Sequence, residues 1–242
     1  MDEIKLLRGD DLRINDKLVF KHLTINQVID FTDENGEENY FSLINLFIVR
    51  PYEMMDILYD SGIDYEEMTE YELFISLFRS GKYDEFLKLL IGDLNFTVCA
   101  KTDTNEIVLY DSINDVMIDE KTYYQIREFI IKIHHIHLKE IYKAGNETIK
   151  KFRINQKRKE RKKHQNEKFQ SQLLNLVTAI TVGTNGSVTF FNVWDMPIYP
   201  AFTALNTTLK LQNYSNTMFG VYTGNISLKD VPKDTLDWTS NK

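Results

Sequence analysis

The sequence predicts an α+β fold that is predominantly helical. Apolar residues recur at helical spacing along most of the chain, whereas alternating apolar and polar residues are confined to about residues 95–118. Hydrophobic residues make up 43% of the 242 positions, which is enough for a buried core, and only 4 prolines interrupt them. We expect N-terminal short helices plus a small β-hairpin, a long central helical hairpin, and a mixed C-terminal part.

The first predicted part, residues 1–120, is acidic and consists mainly of short helices. Thr24 is placed to cap one helix, and Pro51 suits the first turn of another. Thr69 followed by Glu72 forms a capping box ahead of a further apolar stripe. Stripes of Leu, Met and aromatic residues at this spacing are typical of a protein core, so we interpret them as packing surfaces.

The β-hairpin is predicted within residues 95–118. Apolar side chains alternate with polar ones from Phe96 to Lys101, and Thr102–Asn105 supplies a turn. An apolar run then returns at residues 107–110. A third short strand at Val116–Ile118 would extend the hairpin into a small meander.

The second predicted part, residues 121–182, is a long helical hairpin. Asp119 is placed to cap its first helix, whose apolar face continues to Ile141, and Asn146 is placed to open the second. Residues 155–168 contain no apolar side chain but lie between amphipathic segments. We therefore expect them to form the exposed middle of one long helix, a rod of about 21 Å. A frayed linker between two subdomains is the alternative.

The third predicted part, residues 183–242, is a mixed β/α region. Residues 187–193 have the composition of a strand, and a helix is expected from Ala201 to about Tyr214. The rest is predicted to be loops and short elements, anchored by Tyr222 and Trp238.

Charge divides the chain into two unlike parts. Residues 1–120 contain 27 acids and 10 bases, a net charge of −17, and residues 121–242 contain 19 bases and 9 acids, a net charge of +10. Together they give the net charge of −7, and the bases concentrate in residues 150–168. A chain with this polarity is expected to meet its partners, or copies of itself, through charge.

The basic segment is the candidate functional surface. Its members are Lys150, Lys151, Arg153, Lys157, Arg158, Lys159, Arg161, Lys162 and Lys163. They could be a solvated helix face, or bind an acidic protein surface or a neighbouring subunit, or bind nucleic acid. No aromatic residue lies among the bases that follow residue 153, and the net charge of −7 repels a polyanion. A protein partner is therefore favoured over nucleic acid.

No catalytic or cofactor-binding motif is recognisable in the sequence. The sequence contains no phosphate-binding glycine loop and no nucleophile elbow. His134, His135 and His137 fall with Glu140 on one predicted helix, but a metal needs convergent ligands from other elements. Cys99 lies in the alternating segment and is interpreted as a buried structural thiol. We predict no metal, no cofactor and no enzymatic activity.

Membrane insertion and secretion are not predicted. The acidic N-terminus has no apolar core of a signal peptide. The strongest apolar runs, Leu43–Val49 and Leu173–Val182, are much shorter than the roughly 20 residues of a membrane span. We expect a soluble cytoplasmic protein.

Four segments resemble proteins encoded in the tail gene modules of phages that infect low-GC Gram-positive bacteria. They are residues 58–74, 144–150, 220–226 and 236–238. The resemblance implies a non-enzymatic tail assembly or tail structural protein, either a chaperone of the tape-measure protein or a minor tail or baseplate component. Its partners would be other tail proteins and copies of itself, in the host cytoplasm during assembly or in the virion. The alternative is a nucleic-acid-binding protein that uses the basic helix 150–163.

Overall fold

The computed structural model describes residues 2–32, 35–81, 83–184, 186–237 and 239. The protein is predominantly helical and contains two small antiparallel sheets, which confirms the predicted α+β class. No helix among the described residues combines the length and apolar character needed to cross a membrane.

The helices are α1 Glu3–Arg8, α2 Ile25–Ile29, α3 Gly36–Ile48, α4 Met55–Asp60, α5 Glu70–Phe78, α6 Asp84–Ile91, α7 Glu120–Ile133, α8 Glu147–His164, α9 Gln172–Gly183, α10 Ile198–Tyr222 and α11 Lys233–Leu236. Short 3-10 helices occupy Pro51–Met54, Val193–Asp195 and Leu228–Asp230. The strands are β1 Leu12–Arg13, β2 Val19–Phe20, β3 Thr97–Ala100, β4 Ile107–Asp111 and β5 Val116–Ile118.

The predicted N-terminal caps are present. The hydroxyl of Thr69 accepts a hydrogen bond from the backbone N–H of Glu72 at 3.1 Å, and the Glu72 carboxylate accepts one from the Thr69 N–H at 2.8 Å. Thr24 caps α2 in the same reciprocal way, while Asp119 and Asn146 cap α7 and α8. These bonds satisfy first-turn donors that the helix itself leaves free.

The predicted β-meander is confirmed as an antiparallel sheet in the order β3-β4-β5. Buried Asp111 holds the turn after β4, where its carboxylate accepts hydrogen bonds from Asn95, Ile113 and Asn114. These bonds lower the pKa of Asp111 to about 2. Cys99, on β3, is only half-buried, so it is less enclosed than predicted.

The main core is rich in aromatic rings contributed by α3, α5, α6 and α7. The rings of Phe74 and Tyr123 stack with centroids 4.6 Å apart, and Phe47 contacts both of them edge-on or tilted. The Tyr123 hydroxyl donates to the carbonyl of Phe47 at 3.2 Å. The buried phenol of Tyr123 thus has a polar partner inside an apolar layer.

The prediction that the first central helix reaches Ile141 is wrong. Helix α7 ends at Ile133, and His135 adopts a left-handed backbone with φ of 51°. The chain then follows an irregular path to α8, held by long-range bonds such as that from the Arg50 guanidinium to the carbonyl of Lys139 at 2.7 Å. These tertiary contacts outweigh the local helical pattern.

Residues 155–168 are likewise not the middle of one long helix. Helix α8 ends at His164, and α9 begins separately at Gln172. The Glu37 carboxylate accepts hydrogen bonds from two backbone N–H groups in the first turn of α9, at 2.7 and 2.8 Å, and from the Ser171 hydroxyl at 2.6 Å. The start of α9 is therefore fixed both by its N-cap residue Ser171, which accepts a hydrogen bond from the Leu174 N–H at 2.9 Å, and by a residue far away in the sequence.

The C-terminal part also departs from the prediction, because its described residues contain no strand. Residues 187–193 form turns in which the side chain of Asn192 accepts a hydrogen bond from the Thr189 N–H at 2.7 Å. Helix α10 is longer at both ends than the helix that we predicted. Tyr222 is exposed and does not anchor the C-terminus, and Trp238 lies outside the described residues.

Candidate interaction surfaces

Helix α8, which carries the basic segment, packs against α4. It starts at Asn146, whose side chain accepts a hydrogen bond from the Ile149 N–H at 2.9 Å. Fully buried Ile154 inserts into a small cluster with Met55 and Leu58 of α4. One face of α8 is thereby fixed to the acidic N-terminal part of the same chain.

Ion pairs reinforce this contact. Three bases of α8 pair with acids of α4 and of the loop after it, namely Lys150 with Asp64, Arg158 with Asp60, and Arg161 with Asp56. The Arg161 guanidinium donates two hydrogen bonds to the Asp56 carboxylate at 2.8 and 2.9 Å. These bonds lower the pKa of Asp56 and raise that of Arg161. For three of its bases, the acidic protein surface that we expected as a partner of the basic segment is therefore supplied by the same chain.

Lys150 is the most enclosed of the bases. Its ammonium lies 2.6 and 2.7 Å from the two carboxylate oxygens of Asp64 and 3.7 Å from Glu66. It also lies 5.2 Å from the centre of the Tyr65 ring. Hydrogen bonding to Lys150 lowers the pKa of Asp64, and the same bond raises the pKa of Lys150. We conclude that Lys150 attaches α8 to the loop and is not open to an external partner.

The other candidate bases divide into two groups. Arg153 donates to the carbonyl of Tyr142 at 2.6 Å, and Lys157 lies 3.7 Å from Glu160. Four bases are exposed and form no ion pair with any residue that the structure describes: Lys151, Lys159, Lys162 and Lys163. At 100° per residue they span an arc of about 120° on α8. We call these four residues the lysine face.

The histidines do not converge. Buried His134 shares a hydrogen bond of 2.9 Å with the Tyr40 hydroxyl, and burial lowers the pKa of His134 to about 4. His135 instead stacks on Tyr199 of α10 with ring centroids 4.9 Å apart. Among the described residues, no group of three or more potential ligands is arranged to hold a metal ion.

A second surface, which the sequence did not lead us to expect, is formed by α10. Its buried residues all lie in the first turn: Ile198, Tyr199 and Ala201. None of residues 206–222 is buried. We call residues 206–222 the arm. Its 17 positions correspond to a rod of about 25 Å.

The arm has a defined base and a defined tip. Near the base, the end of α9 crosses α10 so closely that a Cβ at Gly183 would collide with the Thr208 methyl group. At the tip, the N–H groups of Asn225 and Ile226 both donate to the carbonyl of Gly220, at 2.9 and 3.1 Å. A Cβ at Gly220 would lie 2.6 Å from the Ile226 side chain. The segment 220–226 is thus a glycine-dependent turn that ends the helix.

The surface of the arm is apolar and nearly uncharged. Its exposed large apolar residues, with their exposed fractions, are Leu209 52%, Leu211 41%, Phe219 70% and Tyr222 81%. Charged residues make up 27% of the whole chain, yet residues 169–228 contain only Asp195 and Lys210. This deficit of charge is visible in the sequence and was the signal for the arm that we missed.

Comparison with known proteins does not identify a function for these surfaces. No known protein family, curated protein or solved structure matches this chain.

Proposed function

We propose that this chain is a non-enzymatic protein of phage tail assembly or tail structure, and that it acts through protein–protein contacts. The observation that carries the proposal is the arm, an exposed helix with one charged residue and no buried residue. A helix that exposes large apolar residues to water gains free energy when another protein covers them. Such a helix is typical of an interaction element.

The exposed area is large enough to matter. With roughly 150–250 Å² for an aromatic residue and somewhat less for leucine, the exposed fractions of the four large apolar residues amount to about 500 Å². At about 25 cal/mol per Å², covering this area contributes on the order of 12 kcal/mol before the costs of association. Those costs are roughly 4–15 kcal/mol. The arm alone can therefore supply most of the free energy of a specific contact.

Tail assembly accounts for this surface better than other roles. Tape-measure proteins are long helices whose apolar faces need cover before assembly, and an apolar arm offers a matching surface. The segment 220–226, which resembles tail-module proteins, forms the tip of the arm. We therefore propose a tape-measure chaperone or a minor tail or baseplate component. It would act in the host cytoplasm during assembly, or in the virion.

Nucleic-acid binding through residues 150–163 is the second candidate, and the lysine face is the observation that favours it. Four exposed lysines predict weak binding to phosphates, with a log–log salt slope of about −3.6. Retention of the protein on immobilised DNA at 50 mM salt, compared with a variant carrying glutamine at all four lysines, tests it. If the wild-type protein is not retained at low salt, this candidate is removed.

Co-expression with the other tail proteins of the same phage, including tape-measure fragments, tests the main proposal. The full chain is expected to co-purify with at least one of them or to associate with itself. The Phe219→Asp variant should weaken this contact, because it places a charge on the apolar arm. Phe152→Asp is the matched control on α8, where Phe152 is 61% exposed. A strictly monomeric wild-type chain that binds none of the tail proteins would refute the proposal.

A further inference from the structure

We infer that the arm is covered by the arm of a second copy of this chain, in a contact with two-fold symmetry. The inference rests on the proposed function, in which the arm makes a protein contact, and it names the partner. Three properties of the described residues support a second copy: the charge of the arm, its polar side chains, and the distribution of its apolar side chains.

Charge determines where two copies can approach. The chain carries a net charge of −7, and its residues 1–120 carry −17, so the acidic parts of two copies repel each other. Residues 169–228 contain one acid, Asp195, and one base, Lys210, and sum to zero charge; the arm itself carries only Lys210. In a two-fold contact each surface meets itself, so a neutral surface avoids the like-charge repulsion that a charged one would meet. A strongly charged partner would find no matching charge on the arm.

The polar residues of the arm are self-complementary. Asn206 bonds His135 within the chain, and the other three amides of the arm, Gln212, Asn213 and Asn216, each carry both a hydrogen-bond donor and an acceptor. Because a two-fold contact places the same region of both copies together, an amide can pair with its own counterpart, whereas two carboxylates or two ammonium groups cannot. The amides of the arm thus suit contact with an identical helix.

The large exposed apolar side chains share one side of the arm. At 100° per residue, Leu209, Leu211, Phe219 and Tyr222 fall within an arc of about 160°. A helix with an apolar stripe of this width typically buries it against a neighbouring element. Two arms side by side, each presenting this stripe to the other, would cover it.

The available area matches a stable dimer. Val182 precedes Gly183 at the base of the arm, and Phe190 and Phe191 follow in the segment that leads to α10, all three being exposed. With these residues the exposed apolar area rises to about 900 Å² per copy, estimated from side-chain sizes. A standard interface buries roughly 800 Å² per partner. The arm and these three exposed residues therefore offer the area of a standard interface without the lysine face.

Sedimentation velocity and light scattering on the full chain test this inference, at 1–100 µM protein and at 50 and 500 mM sodium chloride. We expect a dimer that is equally stable or tighter at the higher salt, because burial of neutral apolar surface is not weakened by screening. Phe219→Asp should weaken dimerisation at least 100-fold, because it introduces the charge twice across the two-fold axis. Tyr222→Lys is a second variant with the opposite charge and the same expected effect.

Phe152→Asp again provides the matched control, since it adds the same charge at a similarly exposed phenylalanine and should leave the dimer intact. Far-UV circular dichroism of each variant checks that the body of the protein remains folded. A wild-type chain that is monomeric at 100 µM overturns the inference. So does a dimer that dissociates at high salt and survives both arm variants. A monomer whose arm binds another tail protein also overturns it, but leaves the proposed function standing.

Discussion

Replacing Arg161 with alanine is expected to weaken the attachment of α8 to α4. Asp56, which receives both hydrogen bonds from Arg161, is only 3% exposed. Without the guanidinium, its carboxylate stays buried at the start of α4 with no cation beside it. An uncompensated buried charge destabilises the folded state more than the loss of a surface ion pair does.

The size of the effect follows from the geometry. Hydrogen bonds to a charged group contribute about 1.5–3 kcal/mol. The Arg161 side chain is 46% exposed, so solvent screens the pair and we expect the lower half of this range, about 2 kcal/mol of unfolding free energy. For a chain of this length that loss corresponds to a decrease in Tm of about 4–8 °C.

The effect should depend on pH in a definite direction. Arg161 holds the pKa of Asp56 below its ordinary value. The contribution of the pair is therefore fully present above the unfolded pKa of about 3.9, and it is lost as the pH falls through the lower folded pKa. The difference between the wild-type protein and Arg161→Ala should be largest near neutral pH and shrink below about pH 4.

Urea unfolding followed by circular dichroism at pH 7, 5 and 3.5 measures this difference. Lys162→Ala is the control, because Lys162 is the next residue on α8 and forms no ion pair with the described part of the chain; its effect should stay within about 0.5 kcal/mol. A double-mutant cycle with Asp56→Asn should give a coupling energy of about 1–2 kcal/mol. Equal stability of Arg161→Ala and Lys162→Ala at pH 7 would refute the reasoning.

Three further outcomes are expected. Ile154→Ala should lower the unfolding free energy by about 3 kcal/mol in urea titrations, because it empties a fully buried site between α8 and α4. Asp111→Asn should lower the Tm at pH 7 but much less near pH 2, because the wild-type carboxylate, with its pKa of about 2, is ionised above that pH and loses its advantage on protonation. Gly220→Ala should speed proteolytic cleavage at the tip of the arm, because the new methyl group displaces Ile226, whereas Gly145→Ala, whose Cβ has its nearest neighbour at 4.0 Å, should not.

The parts of the fold that the sequence predicted are those specified by neighbouring residues. The capping box of Thr69 with Glu72 spans three residues, and the hairpin of β3 and β4 is encoded by alternation around one turn. The end of α7 was predicted wrongly because tertiary contacts outweigh the local helical pattern. The start of α9 has a local signal, the N-cap Ser171, whose hydroxyl accepts a hydrogen bond from the Leu174 N–H at 2.9 Å. The second cap, Glu37, lies 134 residues away, and no local pattern indicates it.

The candidate surfaces show the same division. The sequence identified the bases of α8 as a group. Which of them form ion pairs and which remain exposed to solvent is determined by the packing of α8 against α4. Asp56 and Asp60 are four residues apart and therefore share one face of α4, which is compatible with a basic helix beside it. The pairing of Arg161 and Arg158 with these two acids is a tertiary contact between segments far apart in the sequence, so no local pattern indicates it. The sequence did not predict the arm as an interaction surface, because its signal is a deficit of charge and not a concentration of charge.

The distribution of charge after folding changes how this protein is expected to associate. In the sequence, the net charges of −17 and +10 suggest that copies attract each other through opposite charges. In the folded chain, three of the nine bases of the basic segment already pair with acids of α4 and its following loop, so less of that attraction is left for a partner. The large exposed apolar surface is instead the arm, whose only charged residue is Lys210. Salt separates the two possibilities. Screening, with a Debye length of about 10 Å at 0.1 M that shortens as salt is added, weakens charge contacts made by the exposed lysine face but leaves apolar burial intact. Association that persists from 50 to 500 mM salt would therefore assign the contact to the arm.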